Sequence, residues 1–375
     1  MSTAKRSFDK PFLLIVLTLV TIGLFIFSSA SLGLLARDTV SLTSITSKQI
    51  GIGIIGGIIG LGLFSKIPYK WWKKYAAPIF AASLVLTALV FVPGIGFATG
   101  GAHRWLAVGP LMLQPSEILK LGFVLFLSAL FTHPEIDLTS FKRGLLPFLG
   151  TLGVVGALLL KQPDTGTFMI FLFTGMSMYF VAGGSWKHFV ALAVVGVLAV
   201  GLLFATRPYI KERILTFLDP SRDALGSSYQ IQQALIAIGS GKTFGRGFGQ
   251  SVQKFNYLPE PIGDSIFAVA AEEFGLVGSL GLIMLFLLFT LRGLKIAINA
   301  PDSFSSLLVV GIVVHIVSQS VINIAAMLGL IPLTGVPLMF VSHGGTALLI
   351  GLCEIGIVLH VSTYTRRKTP ELAEV

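Results

Sequence analysis

Tyr257-Leu258-Pro259-Glu260-Pro261-Ile262-Gly263-Asp264-Ser265-Ile266-Phe267-Ala268-Val269, residues 257–269, is the stretch whose reading decides the fold. Its left half carries prolines, a glycine and two carboxylates, the chemistry of a loop. From Ser265 the chain runs apolar to residue 291, interrupted only by Glu272, Glu273 and a few small residues. A helix needs about 20 such residues to cross a bilayer. Asp264 therefore marks the edge of a membrane span, and the expected chain is a membrane protein.

The same pattern recurs outward in both directions. Ten apolar stretches are read, at 11–36, 46–66, 75–93, 116–132, 144–161, 165–183, 188–206, 265–291, 304–330 and 336–362. Apolar residues make up 54% of the 375 positions and charged residues 12%, about half of the ~25% charged residues typical of a soluble domain. The predicted fold is an all-α membrane protein of about ten transmembrane helices, one polytopic domain over 1–375. With an even number of spans both termini share a side. Placing them in the cytoplasm collects Lys66, Lys70, Lys73, Lys74, Lys142, Arg143, Lys187, Arg292, Lys295, Arg366, Arg367 and Lys368 there, as the positive-inside bias requires. The segment 207–264 then forms a large extracytoplasmic loop and 363–375 a cytoplasmic tail. The net charge of +10 is read as anchoring beside the spans, not as a nucleic-acid surface. The first apolar stretch exceeds the ~7–15-residue core of a signal peptide and is expected to be retained.

Small residues at Gly53, Gly57 and Gly60 suggest close helix approach. Gln319 and Asn323, at i, i+4, are expected to hydrogen-bond between helices. Cys353, the single cysteine, is expected to be a small buried hydrophobe.

An ionisable residue at the bilayer centre costs roughly 3 kcal/mol on insertion scales, so those retained deserve a functional reading. Four constellations stand out. In Gln114-Pro115-Ser116-Glu117-Ile118-Leu119-Lys120 the proline suits a first helical turn, and Gln114, Glu117 and Lys120 at i, i+3, i+6 share a face. They form either a cap with a Glu–Lys pair or, with Arg104, the polar lining of an outer cavity. Lys161-Gln162-Pro163-Asp164 is a turn in which Asp164 can cap the next helix or support a site. The long loop carries Tyr229-Gln230-Ile231-Gln232-Gln233, with Ile231, Leu235 and Ile238 at the spacing of an amphipathic helix. Glycines 239, 241, 245, 247 and 249 follow, interleaved with Lys242, Arg246 and Lys254. Such a loop is either flexible or able to turn backbone N–H groups toward phosphate. Finally Pro332, Gly335, Pro337 and Ser342-His343-Gly344-Gly345 break an apolar segment, and irregular backbone at that depth must be buried or line a wet cavity. Ser342 and His343 have no acid placed near them, which disfavours a hydrolytic triad. Asp264 has the boundary position a general base needs, whereas Glu272 and Glu273 read as packing anchors.

Together these residues resemble the SEDS family (shape, elongation, division and sporulation), the polytopic peptidoglycan polymerases. The match rests on residues 101–105 with 114–120, 162–166, 229–241 with 245–249, 258–273 and 337–345. Gln250-Ser251-Val252-Gln253-Lys254 is similar to the division branch, FtsW, more than to the elongation branch, RodA. The chain departs from the family pattern at Ser265, where an aromatic residue is usual, at Ile262-Gly263, where a polar or basic one is usual, and at His343, where tyrosine is usual.

The resemblance implies glycosyl transfer between lipid II molecules at the outer face of the bacterial cytoplasmic membrane. Asp264 is then the catalytic base and Asp164 a catalytic-site support that orients Lys120 or binds substrate. Arg104, Gln114, Glu117, Lys120, Arg246, Lys254 and Ser342 are the candidate substrate-binding residues, with the cations set against the departing diphosphate. A divalent Mg2+ or Mn2+ ion bound to that diphosphate is plausible, with its protein ligands unassigned. Expected partners are a class B penicillin-binding protein and other division or elongation membrane proteins, with no nucleic acid. Two other readings remain open on the residues alone: a lipid II flippase, and a non-catalytic scaffold of the cell-wall machinery.

Overall fold

A computed structural model describes residues 7–36, 46–47, 49–99, 102–108, 111–206, 208–219 and 228–364. Of the residues singled out above, Arg366, Arg367 and Lys368 lie outside these ranges, as do residue 101, residues 207 and 220–227 of the long loop, and the tail from 365 onward.

The architecture is overwhelmingly helical, and helices α1 (Lys10–Ser31), α2 (Gly57–Phe64, entered through a π-helical turn, Gln49–Gly56) and α3 (Tyr69–Ala88) come first. A three-stranded antiparallel sheet follows, β1 (Gly96–Thr99), β2 (Ala102–Val108) and β3 (Leu111–Leu113), in the order β1-β2-β3. The expectation of an all-α chain is corrected here. The 95–113 segment is interrupted by four glycines and Pro110, which disfavour a helix, and β2 pairs with both neighbours, as Phe97 with Trp105 and Ala107 with Met112 show. Next come α4 (Pro115–Phe131), α5 (Leu146–Lys161), α6 (Thr165–Val181), α7 (Trp186–Thr206), α8 (Pro208–Leu218), α9 (Tyr229–Ser240), α10 (Ile266–Ile298), α11 (Ser303–Met327) and α12 (Gly345–Ser362).

Among the described residues, six helical segments are long and apolar enough to cross a membrane, over Lys10–Leu34, Tyr69–Phe91, Phe141–Lys161, Ile266–Ile298, Ser303–Met327 and Gly345–Ser362. Shorter apolar helices cover Gln49–Phe64, Thr165–Val181 and Trp186–Leu198. This is an integral membrane protein. The stretch expected to be helical over 336–362 begins its helix only at Gly345, because Val336–Pro337 and Gly344 hold the preceding backbone in an irregular, largely buried path.

Two ends of the bundle can be told apart by contacts. At one end Arg292 makes a two-pronged pair with Asp9, both contacts 2.9 Å, and His360 meets the Ser65 carbonyl at 2.8 Å. The connections at 65–68, 132–140, 182–185 and 299–302 belong to this end, where the Tyr179 hydroxyl joins Leu138 to His188 and Asp302 meets Tyr69. At the other end the sheet, the start of α4, the α5–α6 turn, the start of α10 and the 336–344 segment converge. Glycines set the spacing of α2 on α12. Gly53, Gly57 and Gly60 face Leu348, Leu352 and Cys353, so a Cβ at any of them would press on that neighbour. Cys353 is buried and free, filling space as expected.

Helix α10 is not one helix. Gly275 has φ 66 and ψ −163, which splits it into an outer piece over 266–274 and a longer piece over 276–298. The glycine-rich loop fills the gap. Arg246 N and Gly247 N donate to the Glu272 and Glu273 carbonyls at 3.0 Å each, and Leu276 N and Val277 N donate to the Lys242 and Thr243 carbonyls at 2.9 and 3.1 Å. A side chain at Gly245 or Gly275 would collide with the opposing backbone, and both residues sit at positive φ, where glycine is the default. The reading of this loop as a phosphate cradle is corrected accordingly, since the N–H groups of residues 246 and 247 already serve the broken helix.

Candidate active site

Pro115 opens α4 with Gln114 as N-cap, which fixes Glu117 and Lys120 in the first two turns. Both are buried, 3% exposed, and Lys120 Nζ lies 2.7 Å from Glu117 Oε2. The ammonium also donates to Gln319 Oε1 at 2.6 Å, while Gln319 Nε2 donates to the Pro337 carbonyl at 3.1 Å. One lysine thus ties α4, α11 and the irregular segment together.

Asp164 takes the capping role open to it, accepting from Thr167 N at 3.2 Å at the start of α6. Its other oxygen is 3.9 Å from Arg104 Nε. Strand β2 presents Arg104 to the α5–α6 turn, where it donates to the Gln162 carbonyl at 3.4 Å and also to the Pro163 carbonyl. Asp164 thus faces Arg104, and Lys120 takes its carboxylate from Glu117.

Asp264 sits one residue before the Ser265 N-cap of α10. Gln230 Nε2, on α9, donates to Asp264 Oδ1 at 3.2 Å and to Ser265 Oγ at 3.0 Å. Asn323 Nδ2 holds the Asp264 carbonyl and the Val336 carbonyl, both at 2.7 Å. Burial pushes the Asp264 carboxyl up from 3.8 to about 6; the Gln230 hydrogen bond opposes the rise, Glu260 adds to it, and the Arg213 charge also opposes it. A carboxylate with a value near neutrality is suited to take a proton from a neutral hydroxyl.

Arg104, Gln114, Glu117, Lys120, Asp164 and Asp264 all line one cavity of about 430 Å³, joined by Glu260, Gln319 and His343. Arg104 to His343 contribute them from six separate segments, so only folding brings them together. The combination of two cations with several carboxylates in a partly apolar recess suits an anionic, hydroxyl-bearing ligand.

Three sequence candidates stand elsewhere. Ser342 Oγ donates to the Gly263 carbonyl at 2.7 Å and accepts from Leu338 N at 2.8 Å, so it ties down the loop next to Asp264 and contributes nothing to the cavity wall. Lys254 is fully buried, its Nζ 2.6 Å from Glu273 Oε1 and 3.0 Å from Ser29 Oγ. Arg246 pairs with Glu272 at 3.3 Å. Neither cation lines the cavity. Their loop is stitched to the Gly275 break, which holds them on the far side of the outer α10 piece. Glu272 also accepts from Ser251 Oγ at 2.6 Å and from Val252 N and Gln253 N at 3.1 and 3.2 Å, the anchoring role the sequence suggested.

Residue spacing gave no sign of several contributors. Gln230 was visible only as part of an amphipathic pattern. The buried face of α9 is in fact Ile231, Ala234 and Ala237, with Leu235 exposed, because the small alanines let the helix close on α10. A buried His315–Glu354 contact of 3.4 Å between α11 and α12 also went unread, since its members are 39 positions apart.

The family profile described as cell cycle protein, FtsW/RodA/SpoVE, matches residues 10–367. Stage V sporulation protein E of Bacillus subtilis is 38% identical over 366 residues, 98% of this chain and 100% of that protein. A probable peptidoglycan glycosyltransferase FtsW of Geobacter sp. (strain M18) is 35% identical over 361 residues, 96% and 98% of the two chains. Among solved structures, a chain from work on coordination of polymerization and crosslinking by a peptidoglycan synthase complex superposes with TM-score 0.77 at 30% identity, covering 95% of this chain and 97% of that one. The rod shape determining protein RodA of Thermus thermophilus does so with TM-score 0.69 at 28% identity, covering 95% and 96%.

Proposed function

This chain belongs to the FtsW/RodA/SpoVE family, and from that premise we infer that it is a peptidoglycan glycosyltransferase that polymerises lipid II. The observation that carries the mechanism is the meeting of Arg104, Lys120, Asp164 and Asp264 on one cavity.

The donor sugar is attacked at its anomeric carbon, the bond to the lipid diphosphate breaks, and negative charge develops on the departing oxygens. Arg104 and Lys120 supply fixed positive charge where that happens. Glu117 and Gln319 hold the Lys120 ammonium, and Asp164 with the Pro163 carbonyl holds Arg104, so neither has to be ordered at the moment of reaction. The acceptor hydroxyl forms the new bond and its proton passes to Asp264. One base and no covalent enzyme intermediate give inversion, from the α-linked donor to a β-linked strand.

The ten apolar stretches form the spans, and the cavity end faces outward with residues 207–264 on that side. Lys66, Lys70, Lys142, Arg143, Lys187, Arg292 and Lys295 belong to the opposite end, which supports a cytoplasmic assignment for it. The membrane is the bacterial cytoplasmic membrane. Cavity groups cluster near helix starts and loops, which favours surface chemistry over transport through a midplane site.

A Mg2+ or Mn2+ ion fits only as a companion of the diphosphate: among the described residues no three His, Cys, Asp or Glu side chains gather, while Asp264 and Glu260 offer hard oxygen donors in the cavity. When bound, such an ion neutralises leaving-group charge. A class B penicillin-binding protein is the partner, in a division or elongation complex; the likeness to a chain from a peptidoglycan synthase complex supports this.

The test is reconstitution with that transpeptidase and labelled lipid II. Wild type makes glycan strands, and Asp264→Asn makes none while keeping its thermal midpoint. Full polymerisation by the Asn variant would refute the base assignment.

A further inference from the structure

The glycine-rich part of the long loop lies deeper than a surface loop. The Asp9–Arg292 pair gives α1 and α10 a common level at one end of the bundle, and a charged pair lies at or beyond the edge of the hydrocarbon. Along α1 from Asp9, Phe25 is about 24 Å away at ~1.5 Å per residue. Its ring stacks on Phe248 with centroids 4.2 Å apart. Back along α10 from Arg292, Gly275 is about 26 Å away by the same rise. There Leu276 N and Val277 N reach the Lys242 and Thr243 carbonyls. Two helices thus agree in bringing residues 242–248 inside the ~30 Å hydrocarbon core, about 4–6 Å below its far face. Any tilt of either helix sets them deeper.

Irregular backbone at that depth must find its hydrogen bonds within the protein. The seam at Gly275 supplies four, two to the N–H groups of Arg246 and Gly247 and two to the carbonyls of Lys242 and Thr243. The side chains turn outward instead. Phe244 is 81% exposed, and Phe248, Val252, Phe255 and Tyr257 are exposed beside it. Phe25 on α1 and Leu276 and Val277 on α10 continue the same apolar surface. Lys242 is exposed next to the seam. Exposed rings with a cation among them, at this depth, match the boundary between acyl chains and lipid phosphates.

We propose that residues 242–257 form a re-entrant loop seated in the leaflet opposite the Asp9–Arg292 pair, with Phe244 among the upper acyl chains and Lys242 on the phosphate of an anionic phospholipid. That leaflet is the outer one on the orientation inferred above, while the depth depends neither on that orientation nor on Asp264 being the base. The loop leads from α9, which bears Gln230, to Asp264, so its seat in lipid sets the height of the proposed base relative to the membrane.

The full chain in nanodiscs tests this. Phe244→Cys carries an environment-sensitive fluorophore, and the unsubstituted chain, whose Cys353 is buried, is the labelling blank. Phospholipids brominated at upper acyl positions are expected to quench the label, and iodide in the water is expected to leave it bright. Val252→Cys is the second labelled variant and is expected to behave alike. Brominated phosphatidylglycerol is expected to associate more tightly than brominated phosphatidylcholine, and Lys242→Gln to lower that preference roughly fivefold, the worth of one basic residue at an anionic surface, with Lys242→Arg keeping it. Quenching of both labels by iodide and not by lipid would overturn the seat in the membrane. An unchanged lipid preference in Lys242→Gln would overturn the phosphate contact. Labels shielded from lipid and iodide alike, in the chain alone or with its transpeptidase, would give the surface to protein and overturn the lipid assignment.

Discussion

Two clusters of charge flank the outer piece of α10, and they behave in opposite ways. On one side Glu272 and Glu273 meet Arg246, Lys254, Ser29 and Ser251 in contacts of 2.6–3.4 Å, with Lys254 and Glu272 fully buried. On the other side Asp264, among the described residues, receives a single side-chain hydrogen bond, from Gln230, and faces a cavity. In sequence the acids already divided, Asp264 at the edge of a span and Glu272 and Glu273 as packing anchors, but the basic residues Arg246 and Lys254 were assigned to the side of Asp264. The difference teaches that function follows the carboxylate left with capacity to spare, and that a carboxylate surrounded by donors is committed to holding the fold.

The sharpest way to break this contrast is to neutralise one acid on each side. Asp264→Asn should lower turnover by 10²–10⁴-fold or more, the usual worth of a general base, with little change in melting. Glu273→Gln should do the reverse. It leaves the Lys254 ammonium buried without its counter-charge, which costs about 3–5 kcal/mol of stability, read as a fall in thermal midpoint and folded yield. A smaller effect is expected at the seam. Gly275→Ala forces a side chain onto positive φ and into the facing loop, and strain of this kind costs about 1–3 kcal/mol, measured by calorimetry or protease resistance.

The smallest effect is on pH dependence. With its carboxyl raised to about 6, Asp264 must lose its proton to act as base. Polymerisation should therefore be half-maximal near that pH and fall about tenfold for each unit below it. The stability sign is opposite. A carboxyl that ionises near 6 when folded and near 3.8 when unfolded holds its proton more tightly in the folded state. Its contribution is present on the acid side and is lost as pH rises through about 6. A rate profile that stays flat down to pH 4.5 would break the assignment of base to Asp264.

Much of this was legible in the chain. Apolar runs of 17 residues or more located the helices, because lipid demands them, and the glycines at 53, 57 and 60 announced their contact with α12. Arg104, Gln114, Glu117, Lys120, Asp164 and Asp264 could be picked out because each stands where a polar loop meets an apolar span. The basic residues Arg246 and Lys254 could not be separated from these by the same criterion. Their burial depends on a break at Gly275 that no periodicity announces, since the flanking residues are apolar on both sides. Gln230 and Ser342 were obscured for a related reason, as their roles are set by partners 34 and 79 positions away in sequence.

The seam at Gly275 has a mechanical consequence. Residues 276–298 form a rod whose tilt must follow bilayer thickness, whereas residues 266–274 are pinned by the loop at 242–247 and by Ser29 and Lys254. The break at Gly275 is therefore the expected place for a change in tilt to be taken up, with Asp264 on the pinned side of it.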